Sequence, residues 1–181
     1  MPRQIALLRG INLGARNRVS MPELRELLEG LGHEDVRTLL QSGNVVLTSD
    51  ETGERLEQAL EKAIAGELGV ESRVVVRSAR ELAGVVERNP LAEVADDPKR
   101  YQVSFLSAKP EAAVVRELEA ADVAPEQVVV SGREIYAWHP GGVQRSPLDK
   151  LLTDRKLGVT ATARNWNTVT KLLELAREQV G

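Results

Sequence analysis

A strand, a helix and a two-stranded hairpin follow one another twice along this chain of 181 residues, and this repeat constrains the fold most strongly. In each copy a short apolar run precedes an amphipathic segment, and a Ser-Gly pair then separates two further strand-like runs. Ser-Gly between two such runs is a short hairpin signal. The predicted strands are residues 4–9, 36–41, 44–48, 101–106, 126–130 and 133–138, and the predicted helices are residues 20–31 and 110–121.

The first half adds one more helix and one more strand to this pattern. Apolar residues at helical spacing predict a helix over residues 54–68, and residues 72–77 predict a fourth strand. The resulting order, βαββαβ, is the ferredoxin-like order. Ser78 and Glu81 form a capping box, which predicts the start of a third helix. Asn89-Pro90 then ends that helix, because the residue before a proline disfavours helical geometry.

The second half reads as βαββ followed by C-terminal helices. A helix is predicted from Ser146, with Pro147 in its first turn, and the last helix from Asn165 to Val180. We therefore predict an α+β protein of two similar small subdomains. The first covers residues 1–89, the second covers residues 101–181, and the polar residues 90–100 form the linker.

Composition excludes several kinds of site. The chain has no cysteine and two histidines, so disulfides, thiolate metal sites, cysteine nucleophiles and a multi-histidine metal centre are ruled out within one chain. No apolar run approaches the ~20 residues of a membrane span, and the N-terminus lacks the apolar core of a signal peptide. These features predict a cytoplasmic protein with no membrane partner. They leave any cofactor unspecified and predict no metal.

The first polar segment of interest is the arginine-rich loop, residues 9–18, which follows a strand and precedes a helix. It contains Arg9, Gly10, Asn12, Gly14, Arg16 and Arg18, and it has no acidic residue. Glycine lets backbone amides turn towards an anion, and arginine supplies paired donors for phosphate or carboxylate. The Gly-x-x-x-Gly spacing matches neither a Walker loop nor a dinucleotide fingerprint. A polar connecting loop that needs glycine for its backbone is the simpler interpretation of this segment alone.

Two further polar segments add amides and hydroxyls. One is the hairpin turn Gln41, Ser42, Gly43 and Asn44, which has an amide side chain at both ends. The other surrounds the predicted start of the last helix and includes Thr162, Arg164, Asn165, Asn167 and Thr168. A helix start needs one such cap, so this set exceeds the structural need. An anion at a helix start would also have the helix dipole and the arginine to bind it.

His139 is the weak candidate for proton transfer, because it stands beside Tyr136 and Trp138 at a strand end. A buried strand closed by a Pro-Gly turn explains the same residues without catalysis. No nucleophile elbow and no metal-binding His-Glu-x-x-His helix occurs in the sequence. Whether the protein is an enzyme stays open.

Three segments together resemble a known family. Arg9-Gly10-Ile11-Asn12-Leu13-Gly14, Leu40-Gln41-Ser42-Gly43-Asn44-Val45 and Thr162-Ala163-Arg164-Asn165-Trp166-Asn167-Thr168 resemble the hallmark segments of a bacterial uncharacterised family, domain of unknown function 1697. Leu13 stands where that family usually has valine. The resemblance implies an α+β fold with two similar subdomains, and it implies no established activity.

Three functions of different classes fit these residues. The first is a binding module in which the three polar segments meet in a cleft and hold an anionic ligand. The ligand would be a nucleotide, a phosphorylated metabolite or a nucleic-acid backbone, although a net charge of -3 gives little support for a broad nucleic-acid surface. The second is a structural, self-associating protein whose polar segments lock the two halves and whose edge strands pair. The third is an enzyme using the same cleft.

Overall fold

The computed structural model describes residues 2–178, and the two predicted sheets are both present. Four-stranded antiparallel sheets form in the orders β2-β3-β1-β4 and β6-β7-β5-β8. The strands are β1 Arg3–Leu8, β2 Glu34–Leu39, β3 Asn44–Thr48, β4 Val74–Ser78, β5 Tyr101–Leu106, β6 Gln127–Ser131, β7 Glu134–Trp138 and β8 Ala161–Asn165. The helices are α1 Met21–Gly30, α2 Gly53–Leu68, α3 Ala79–Arg88, α4 Ala112–Ala120, α5 Asp154–Leu157 and α6 Trp166–Arg177. The prediction of an α+β fold with two similar subdomains is confirmed.

The chain separates into two compact units. Unit 1 comprises Met1–Gly84 with Lys171–Gly181, and unit 2 comprises Val85–Thr170. These boundaries lie within α3 and α6, whereas the sequence predicts the division at the linker, residues 90–100. Residues 90–100 belong to unit 2, where they form turns and bury Leu91.

Unit 1 has its core between one face of its sheet and the helices α1 and α2. Alternate residues of β1, β3 and β4 point to that face, as the two-residue period of a strand requires. Leu24 and Leu28 of α1 and Leu56 and Leu60 of α2 are fully buried against them. The predicted helical spacing of these leucines therefore marks the packed side of each helix.

Unit 2 repeats the strand order and the strand register of unit 1. In unit 1 the last residue of β4 pairs with the second residue of β1, and β8 and β5 pair in the same way. Leu8 donates its amide to Gly43 at 2.9 Å, and Leu106 donates to Arg133 at 2.9 Å at the matching place. By this register Arg77 in β4 and Arg164 in β8 occupy equivalent positions.

The second half departs from its predicted elements in two places. Residues 161–165, predicted as the approach to a helix, form the strand β8 and complete the sheet. The helix predicted from Ser146 is replaced by one 3₁₀ turn, Asp149–Leu151, and the short α5. The last helix starts at Trp166, and its predicted end at Val180 lies outside the described residues.

Candidate functional site

The arginine-rich loop owes its shape to four residues with left-handed backbone. Gly10, Asn12, Gly14 and Asn17 have φ between +51° and +69°. Glycine adopts this region freely, and asparagine is enriched in it among the other residues. The two glycines and two asparagines are therefore accounted for by the path of the chain.

Asn12 holds the loop closed and connects it to the hairpin turn. Its Oδ1 accepts from the amide of Val19 at 2.8 Å, and its Nδ2 donates to the Val19 carbonyl at 3.0 Å. The same Nδ2 donates to the carbonyl of Gln41 at 2.7 Å. The amide of Asn12 also donates to the Asn17 carbonyl at 2.9 Å. The loop is therefore braced by its own polar groups.

The hairpin turn packs directly against the loop. A Cβ atom on Gly43, which has φ +88°, would lie 2.7 Å from Ile11 Cδ1 and 2.8 Å from Leu8 Cβ. Asn44 is fully buried, and its Nδ2 donates to Leu39 O at 2.8 Å and to Ser42 Oγ at 2.9 Å. Two of the three predicted polar segments thus meet within unit 1, with Asn44 turned inward.

The two segments leave cationic and apolar side chains in solvent. Arg9, Arg16 and Arg18 are exposed. Within residues 2–178, Arg16 and Arg18 have no carboxylate oxygen within 4.0 Å. Leu13 and Leu40 are 73% and 58% exposed, and Leu40 has φ +61°. That backbone conformation is unfavourable for leucine, and strained residues of this kind cluster at functional sites.

A polar cavity opens beside the loop. It measures about 500 Å³, and its walls include Arg9, Gly10 and Asn17 from the loop together with Ser72 and Arg73, which directly precede β4. Ser72 Oγ donates to the carbonyl of Arg9 at 2.8 Å and accepts from its amide at 3.2 Å. The acidic residues of the wall are Glu61 and Glu71.

Glu61 is already engaged on the β4 side of this cavity. Its Oε1 accepts from the amide of Val74 at 2.9 Å and lies 3.7 Å from Arg73 Nε. These contacts offset part of its charge. The wall of the cavity therefore includes arginine side chains from two segments that are separated along the chain.

The third predicted segment lies in unit 2, where the side chains of Thr162, Arg164 and Asn165 have hydrogen-bond partners. Arg164 Nη1 donates to Thr162 Oγ1 at 2.7 Å and to the Ala163 carbonyl at 2.9 Å. Burial of the Arg164 guanidinium lowers its pKa to about 10. Asn165 Oδ1 accepts from the amide of Thr168 at 3.0 Å and so caps α6. Asn167 is exposed. Ligand contact by these residues stays a prediction.

Arg77 is a buried residue that the sequence analysis did not identify. It is 1% exposed, and its Nη1 donates to the Val76 carbonyl at 3.0 Å. Its equivalence to Arg164 follows from the strand register, and the amino-acid sequences of β4 and β8 do not reveal that register. Arg77 is out of phase with Val74 and Val76 of the core, so the period of two places it on the opposite face of β4 and gives no sign that it is buried.

His139 lies in a buried cluster of unit 2, and its role in proton transfer stays a prediction. Its ring is fully buried, and Nδ1 lies 2.6 Å from Glu126 Oε2 and 3.0 Å from Ser146 Oγ. Both contacts use the same nitrogen, so the ring does not bridge the serine to the acid as a nucleophilic triad requires. Within the described part of the chain, Nε2 has no hydrogen-bond partner.

Glu126 anchors this cluster. Desolvation pushes the pKa of its carboxyl upward, but the hydrogen bonds from Ser146, Leu148 and His139 outweigh that effect and hold the pKa below its ordinary value. Ser146 Oγ also accepts from the amide of Asp149 at 2.9 Å. The cluster therefore connects the start of β6 to the segment that follows β7, which is a structural role.

Two further properties concern metals and membranes. The stretch from residue 2 to residue 178 holds no group of three histidine, aspartate or glutamate side chains suited to a metal ion. None of the helices described has both the length and the apolar character needed to cross a membrane.

Comparison with known proteins decides the family. The sequence pattern of the family described as "Protein of unknown function (DUF1697)" matches residues 1–136. The chain belongs to this family. The match contains the arginine-rich loop and the hairpin turn, and it ends before β8. The predicted family resemblance is thereby confirmed.

A solved structure is similar over nearly the whole chain. It is that of the conserved bacterial protein SP0830 from Streptococcus pneumoniae, which has 25% sequence identity and a TM-score of 0.76. The similarity covers 97% of this chain and 99% of that chain. None of the curated proteins compared with the chain matches it.

Proposed function

We propose that this protein is a binding module for an anionic ligand and that the ligand binds to unit 1, at the arginine-rich loop and the hairpin turn. The observation that carries the proposal is that different residues of the loop hold its backbone and face the solvent. Its asparagines and glycines hold the backbone, while Arg16 and Arg18 extend into solvent. A loop that is held by its own hydrogen bonds binds a ligand at lower entropic cost than a flexible loop, because it is already ordered in the free protein.

The chemistry of the donors favours a phosphate-bearing small molecule. Arginine binds phosphate through paired, charge-assisted hydrogen bonds, and the cavity beside Arg9 and Arg73 is large enough for a phosphorylated metabolite or a nucleotide. A nucleic-acid backbone offers the same phosphates, but the net charge of -3 provides no broad basic surface. The proposal includes a cytoplasmic location, which stays a prediction.

The proposal rests on unit 1 alone. The sequence-based hypothesis of a shared cleft also includes five residues of unit 2, which are Thr162, Arg164, Asn165, Asn167 and Thr168. Their hydrogen bonds within unit 2 give Thr162, Arg164 and Asn165 a structural role that needs no ligand.

Thermal unfolding with added ligands tests the proposal. The panel contains inorganic pyrophosphate, a nucleoside triphosphate, a sugar phosphate and a short single-stranded oligonucleotide. A ligand at about 100 times its dissociation constant stabilises the folded state by about 2.7 kcal/mol. For a chain of this size that raises the melting temperature on the order of 5–10 °C.

Matched variants locate the binding. The Arg16→Ala, Arg18→Ala double variant removes two loop cations and should abolish the shift. The Arg80→Ala, Arg116→Ala double variant changes the net charge equally, at exposed helical positions that are not part of the loop, and should retain the shift. Equal losses in both variants, or no shift with any phosphate compound, would contradict the proposal.

A further inference from the structure

The outer edges of the two sheets differ in how their main-chain amides are occupied. The amides of an exposed edge strand can pair with another strand, and proteins commonly block such edges. On β4 the outward amides of Val74 and Val76 donate to Glu61 Oε1 at 2.9 Å and Glu57 Oε2 at 2.8 Å. The amide of Ser78 donates to Glu81 Oε1 at 2.9 Å. Glutamates from α2 and α3 therefore close this edge.

Two other edges are interrupted in different ways. In β2 the pairing shifts between Glu34 and Arg37, and Asp35 has φ +47°, so a bulge with charged side chains breaks the edge. In β8 the amide of Ala161 donates to Asp154 Oδ1 at 2.9 Å, and the strand passes directly into α6. The carbonyl of Ala163 in β8 also accepts from Arg164 Nη1 at 2.9 Å, so each of these two edges has a feature that interferes with a partner strand.

The edge of β6 has none of these devices. Main-chain hydrogen bonds along β7 point alternately to its two neighbours. Leu106 bonds to Arg133, so every second residue from Arg133 onward bonds to β5, and the residues between them, including Tyr136, bond to β6. Val129, opposite Tyr136, therefore bonds to β7, while Val128 and Val130 direct their amides and carbonyls outward. Within residues 2–178 neither outward amide has a hydrogen-bond partner. The strand sequence Gln-Val-Val-Val-Ser has no charge and no proline, and its three valines are half-buried.

We propose that two copies of this chain associate through β6, antiparallel about a two-fold axis at Val129. In this register Val128 of one copy faces Val130 of the other. Each outward amide then meets an outward carbonyl, so the edge is complementary to itself. The two four-stranded sheets of unit 2 would join into one continuous sheet.

The residue types favour a second copy as the occupant. The Val129 side chains of the two copies meet across the axis, where β-branched pairs stabilise a sheet. Because residues 127–131 carry no charge, the two identical strands do not repel each other. Symmetric pairing of this kind also closes after two copies and leaves no β6 edge open.

Charge-swap variants at the axis test the proposal. Val129→Lys and Val129→Glu each place two like charges opposite one another, and each should raise the dimer dissociation constant at least about tenfold. Val129→Thr keeps a branched, uncharged side chain and should remain dimeric. An equimolar mixture of the lysine and glutamate variants should regain the dimer, because the opposed charges then attract. Mass is measured by sedimentation from about 10 μM to 1 mM, with circular dichroism confirming the fold.

The outcomes are decisive in both directions. A wild-type dimer that is lost in each charged variant and restored in the mixture supports pairing through β6. A wild-type monomer over the whole concentration range overturns the proposal, including the case in which β6 serves a strand of another protein. A dimer unaffected by Val129→Lys also overturns it. If the lysine variant does not fold, Val130→Pro removes one outward amide at an edge that tolerates proline and should give the same loss.

Discussion

The contact between the hairpin turn and the arginine-rich loop predicts an unusually large effect for one methyl group. Gly43→Ala places a Cβ atom 2.7 Å from Ile11 Cδ1 and 2.8 Å from Leu8 Cβ. Overpacking of this kind costs about 1–3 kcal/mol. The backbone at φ +88° adds about 1–2 kcal/mol for a residue other than glycine. The variant should therefore lose about 2–5 kcal/mol of unfolding free energy.

Gly132 provides the matched control, because it occupies the corresponding hairpin turn of unit 2. It has φ +59°, and its added Cβ would have no neighbour within 4 Å. Gly132→Ala should thus lose only the backbone part, about 1–2 kcal/mol. Urea titrations followed by circular dichroism measure both losses. If Gly43→Ala is no more destabilising than Gly132→Ala, the turn does not pack on the loop as described.

Three further predictions concern the polar contacts of the fold. Glu126→Gln should make stability fall less steeply at low pH. The lowered pKa of the Glu126 carboxyl stabilises the folded state at pH values above 4.5, its ordinary pKa, and this contribution is lost as the pH falls through the folded-state pKa. Thermal unfolding at pH 3–6 checks this prediction. Arg164→Ala should lower the free energy of unfolding by about 2–4 kcal/mol, because it leaves a cavity and an unpaired Thr162 hydroxyl. The exposed Arg16→Ala should change it by no more than about 0.5 kcal/mol. Equal losses in urea titrations would contradict the burial of Arg164. Ser78→Ala should cost about 1 kcal/mol by removing the cap of α3, and an unchanged unfolding midpoint would count against that cap.

The sequence predicts the strands and helices whose apolar residues follow a regular period. The capping box at Ser78 is an example, since Ser78 and Glu81 exchange both hydrogen bonds as predicted. The strand β8 escapes prediction because its inward residues, Thr162 and Arg164, are polar. The buried residues of β8 do alternate along the strand, but because they are polar the sequence shows no alternation of apolar residues there.

The candidate site is predicted in its residues but not in its arrangement. Glycine and asparagine in the loop indicate left-handed backbone, yet nothing in the sequence shows that Asn12 reaches the carbonyl of Gln41, which is 29 residues away. The positive φ of Leu40 is also unexpected for its residue type. Such features depend on how the hairpin turn packs against the loop, and packing between distant segments leaves no local pattern.

The most direct test of the proposed binding function is a titration of the ¹⁵N-labelled protein with inorganic pyrophosphate, followed by amide chemical shifts. The proposal predicts saturable shifts concentrated in residues 9–18, 41–43 and 72–73, and their loss in the Arg16→Ala, Arg18→Ala variant. Saturable shifts confined to other residues, or shifts that persist unchanged in that variant, would contradict an anion site at the arginine-rich loop.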